Sequence, residues 1–100
     1  MNRKDTLQHA LICVCGDREQ DYGSPENNFK TIAEFWTTYL KQKSVSPDAD
    51  VCILPEDVAA MLILLKTARI ASGHAKNDNW IDIAGYAACG CEIESGGNNE

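Results

Sequence analysis

Asp78 and Asp82 stand four residues apart in DNWIDIAGYAACGCEIE (78–94), a stretch with helical spacing of its apolar residues. At about 100° per residue they share one stripe with Gly85 and Cys89. Two carboxylates on one helix face repel unless a cation lies between them. A glycine inside a helix costs about 1 kcal/mol relative to alanine, and it removes a side chain beside the acidic pair. The combination leaves room for a ligand, or for a second helix packed closely. The plainer alternative is an N-cap at Asp78, a solvated charge at Asp82 and a helix crossing at Gly85.

Two further groups of polar residues depart from simple patterning. Asp57 opens a segment, PEDVAAMLILLKTARI, that is apolar nearly all round and then carries Lys66 and Arg69. A lysine there is expensive to bury without an anion. It could pair with a carboxylate of the last helix, meet a phosphate, or reach out to water along its own stem. The third group is DREQDYGSPENN, which places Arg18, Tyr22, Glu26, Asn27 and Asn28 around a helix start. Free N–H groups at such a start suit an anion, and Tyr22 could stack on a base or ribose. A solvated loop with ordinary capping is the alternative.

Four helices must position these groups. The first is expected from Asp5, as N-cap, to Cys15, with Gln8 completing a capping box and Gly16 as the stop. Ser24 then caps a second helix, with Pro25 in its first position, running to about Gln42. Its apolar side carries Phe29, Ile32, Ala33, Trp36, Tyr39 and Leu40. KSVSPDADVCIL is a loop by composition. The third helix starts at Pro55, ends at Gly73 and should be the central, most buried one. Asp78 caps the fourth, which runs to about Glu94. The expected fold is all-α, a small four-helix bundle over residues 1–94, with 95–100 a disordered tail.

Bulk properties narrow the partners. The chain has 100 residues, a hydrophobic fraction of 44% and a formal net charge of -6, with a pI near 4.8. That balance argues against gripping duplex DNA, which needs a basic face, but leaves room for a small anion held by two or three cations. No stretch approaches a membrane span. Five cysteines, an odd number, and no secretory signal point to free thiols in a reducing cytoplasm. Cys13 with Cys15 and Cys89 with Cys91 invite a zinc reading. Neighbours two apart on a helix face different ways, however, so small buried thiols are the plainer one. Trp36, Tyr39 and Trp80 offer more apolar surface than a monomer of this size readily covers, so a homo-oligomer is expected.

The blocks GDREQDYGSPENNFKTIAEFWTTYL, DVAAMLILLKTARI and DNWIDIAGYAACG resemble, in order and spacing from about Gly16 to Glu94, a family of small phage and prophage proteins of unassigned function. A related family is described as associated with nucleotide modification. More distantly, the chain is similar to the all-α MazG-like nucleoside triphosphate pyrophosphohydrolases. That resemblance implies a helical, oligomeric fold that holds Mg²⁺ on acidic residues of two neighbouring helices. An activated water then cleaves between the α and β phosphates.

Carried over, it makes Asp78 and Asp82 the second acidic pair, spaced by four rather than three. Asp57 alone represents the first pair, with Glu26 as a supplement. Asp57, Asp78 and Asp82 are then the expected catalytic and metal-holding residues. Arg18, Tyr22, Asn27, Lys66 and Arg69 are expected to contact a (deoxy)nucleoside triphosphate, which is hydrolysed to monophosphate and pyrophosphate. Two other readings stand beside it. One is a nucleotide or cyclic-nucleotide binder that sequesters a host defence signal without chemistry. The other is a structural interaction bundle.

Overall fold

The computed structural model describes residues 1–16, 25–43, 50–73 and 76–96, without the side chains of 25–27. Among the described residues there are four helices and no strand: α1 (Arg3–Cys15), α2 (Pro25–Lys43), α3 (Pro55–Ala71) and α4 (Asn77–Glu94). The expected Ser24 cap lies outside them.

Helix starts differ from expectation where a stronger local solution exists. The N-cap of α1 is Asn2, not Asp5. The Asn2 side chain accepts from the Asp5 backbone N–H at 2.8 Å, and Asp5 Oδ2 accepts from the Asn2 N–H. This reciprocal pair is a capping box three residues earlier in the chain, and it lengthens the helix. In α4 the N-cap is Lys76, without a side-chain cap bond, so Asp78 is a first-turn acid instead. There its charge still complements the positive helix end. The α3 start is held by Asp57, whose Oδ2 accepts from the Leu54 N–H at 2.9 Å. At its end Gly73 takes φ +87°, the left-handed conformation that glycine adopts without strain. Ser95 and Gly96, expected in the tail, close α4 through N–H bonds to the carbonyls of Cys91 and Ile93; residues 97–100 lie outside the described part.

α3 is central, as expected: α4 packs along one side of it and α2 along another, while α1 lies on α4. The core joins Phe29 and Ala33 of α2, Val58 and Ala59 of α3 and Cys89 of α4, with Ile32, Trp36, Leu62 and Tyr86 packed around it. Thr37 ties the segment before α3 to α2, its Oγ1 accepting from the Ile53 N–H at 2.8 Å. The expectation that α3 is the most buried helix is corrected. Only Val58 and Ala59, at its start, are buried. Met61, Leu64 and Leu65 are exposed, because among the described residues no other helix reaches that side.

Candidate functional site

α3 and α4 run antiparallel, and two contacts fix their register. Lys66 Nζ lies 3.0 Å from Asp82 Oδ2 near one end. Near the other, a Cβ added at Gly90 would sit 3.1 Å from the Ala59 Cβ. The side chains of Lys66 and Asp82 are only 13% and 18% exposed. For Asp82, a cation is thus supplied from within the chain.

Gly85 answers the packing question its type raises. A Cβ there would meet Val14 Cγ1 at 3.0 Å, so the missing side chain admits α1. Of the two purposes open to it, close helix approach is the one observed. Drawing α1 onto α4 also builds a groove. His9, Ile12 and Cys13 of α1 form one wall, and Asp78, Ile81 and Asp82 of α4 form the other. The groove is open to solvent and encloses about 460 Å³, within the usual size of small-molecule sites. Ile12 and Ile81 give it an apolar floor, and Asp78 and Asp82 give it acceptor oxygens.

Of the other expected residues that are described, Asp57 and Arg69 do not line it. Asp57 is nine residues before Lys66 on α3, about 13 Å away along the axis. Its carboxylate is engaged at its own helix start. Arg69 is exposed on α3, apart from the inward-turned Lys66. Arg18 and Tyr22, and the side chains of Glu26 and Asn27, lie outside the described residues. Among the described residues no three His, Cys, Asp or Glu side chains are grouped to hold a metal. None of the five cysteines is in a disulfide, and of them only Cys89 is buried. His9 escaped sequence reasoning because α1 carried no polar departure from its pattern. The only available signal was its spacing with Cys13, four residues on.

A family described as Domain of unknown function (DUF6378) matches residues 5–94. The chain is 39% identical over 83 residues to the Gene 55 protein of Mycobacterium phage D29, covering 83% of this chain and 49% of that protein. It is 43% identical over 81 residues to the Gene 55 protein of Mycobacterium phage L5, covering 81% and 47%. The chain therefore spans about half the length of the curated relatives it matches. No solved structure matches. No helix among the described residues is long and apolar enough to cross a membrane.

Proposed function

The chain belongs to the DUF6378 family, and for this member we propose action on a nucleoside triphosphate taken as its Mg²⁺ complex. The observation that carries this reading is that Asp78 and Asp82 line one groove of ligand size. Mg²⁺ in nucleotide sites is held by one or two carboxylates together with the substrate phosphates. Asp78 and Asp82 fit that requirement without a third protein carboxylate. The distant MazG-like resemblance supports the same reading, in which water and the triphosphate give the monophosphate and pyrophosphate. The protein would work as a homo-oligomer in the cytoplasm of a phage-infected bacterium.

Each residue of the groove has a defined task. Asp82, fixed by Lys66, offers an oriented carboxylate at low entropic cost. Asp78, exposed at the helix start, is the second acceptor and the first met by an incoming ligand. Lys66 neutralises Asp82, and its charge would lie near phosphate oxygens held at that carboxylate. Ile12 and Ile81 give a flat ligand apolar contact. When bound, the ion would supply Lewis acidity at the phosphates.

A second reading, binding without cleavage, is favoured by the engagement of Asp82 Oδ2 with Lys66, which leaves fewer oxygens for a metal. One assay separates the two. The protein is incubated with a panel of ribo- and deoxynucleoside triphosphates and Mg²⁺, and pyrophosphate is measured. Release that disappears in Asp82→Asn supports hydrolysis. Saturable binding without release supports the holding protein, and the absence of both removes the nucleotide from the account.

A further inference from the structure

The packing of α1 on α4 at Gly85 brings an imidazole to the groove as well as a wall. His9 lines the groove from α1, and Asp78 and Asp82 line it from α4. His9 is exposed, open to a ligand and to water. We propose that His9 is the proton acceptor of the groove, a catalytic residue for the hydrolysis. This rests on the hydrolytic reading given above and adds to it the group that the attacking water needs.

The reaction fixes what that group must do. The water oxygen attacks the α-phosphorus. The bond from that phosphorus to the oxygen bridging the α and β phosphates breaks, and its electron pair leaves on pyrophosphate. The attacking water loses a proton, which must go to an acceptor in the groove. Four of the lining side chains are ionisable: His9, Cys13, Asp78 and Asp82. Asp82 Oδ2 is paired with Lys66 Nζ at 3.0 Å, and in the hydrolytic reading both carboxylates face the cation. Their oxygens are committed. A thiol is a weak acceptor. A neutral imidazole keeps one ring nitrogen as an acceptor and exchanges its proton near neutral pH. His9 takes the proton on that nitrogen and releases it to the solvent. Its place on the wall opposite the carboxylates lets base and cation approach the substrate from different sides. The ionisable groups around it are Asp5 and Cys13, four residues away on α1, and Asp78 and Asp82 on α4, with Lys66 of α3 at Asp82.

Steady-state release of pyrophosphate from ribo- and deoxynucleoside triphosphates with Mg²⁺ tests this in the full chain. In His9→Gln, kcat should fall about 100-fold or more, with KM nearly unchanged. For the unmodified chain kcat should rise with pH through the neutral range, as the base loses its proton. In His9→Gln this rise should vanish. His74→Gln, at the other of the chain's 2 histidines, should keep the unmodified rate. A kcat that His9→Gln leaves intact overturns this inference alone. So does a change confined to KM, which makes His9 a binding contact, or a fallen kcat with the same pH profile, which marks a structural effect. If His9→Gln does not fold, the His74→Gln chain decides, because His9 is its sole histidine. Diethyl pyrocarbonate should stop its release of pyrophosphate, and prior addition of the triphosphate should protect it. Release that survives the reagent overturns the inference. No release from the unmodified chain with any triphosphate overturns the hydrolytic reading, and this inference with it.

Discussion

Lys66 Nζ and Asp82 Oδ2 meet at 3.0 Å across the contact of α3 with α4, both side chains largely shielded from water. The pair links the most apolar helix of the chain to the helix that carries the acidic stripe. It also fixes which end of α3 faces the groove, and so places Asp57 away from it.

Removing one partner leaves a shielded charge without its counterpart. For a fully buried pair that costs about 3–5 kcal/mol, and the residual exposure here lowers the figure to about 2–3 kcal/mol. Lys66→Met is therefore expected to lower the urea midpoint markedly. Lys66→Met with Asp82→Leu should lose less than the two single changes added together. Additive losses would mean that the pair contributes nothing as a pair.

At Gly85 α1 lies close against α4. Alanine there gains about 1 kcal/mol of helix propensity. Its Cβ, however, would press on Val14, a side chain with a stiff χ1 that cannot turn aside. α1 must then move, and Gly85→Ala is expected to lower the thermal midpoint. In a Val14→Ala background the same change should raise it. A change of the same sign in both backgrounds would contradict the contact.

Thr37 provides the acceptor for the Ile53 N–H. Thr37→Val keeps the shape and removes the acceptor, leaving a half-buried donor unpaired at about 1–3 kcal/mol. Thr37→Ser keeps the acceptor and should lose less. A larger loss in Thr37→Ser than in Thr37→Val, by chemical denaturation, would assign the effect to the methyl group instead.

Asp57 and Asp82 are expected to separate stability from binding. Asp57→Ala removes a helix-start acceptor and should lower stability by about 1 kcal/mol, with nucleotide affinity unchanged. Asp82→Asn should lower affinity. Loss of binding in Asp57→Asn, which keeps an acceptor oxygen, would return Asp57 to the site.

Much of this was legible in the sequence because it is local. Helical spacing, Pro25, Pro55 and Gly73 are signals carried by a few adjacent residues, and they located four helices. Two caps were missed by two and three residues, because an aspartate suits the first helical turn as well as the cap itself. The Lys66–Asp82 pair was one of the alternatives that the isolated lysine suggested. What could not be read was which helix faces which. Helical periodicity gives the angle of a residue on its own helix, not the register of that helix against another. The sequence therefore could not separate Asp57 from Asp82, or show that Gly85 admits α1, or bring His9 to the groove. The burial of α3 was misjudged for a related reason. Hydrophobicity on all sides does not say which neighbouring helix, if any, reaches each side.

The most direct test of the nucleotide reading is a backbone NMR titration of the ¹⁵N-labelled chain with a non-hydrolysable nucleoside triphosphate analogue and Mg²⁺. The account predicts saturable shifts of the amides of His9, Cys13, Asp78 and Asp82, lost in Asp82→Asn while the remaining spectrum keeps its dispersion. No saturable shift with any nucleotide, or shifts centred on Asp57 at the far end of α3, would contradict it.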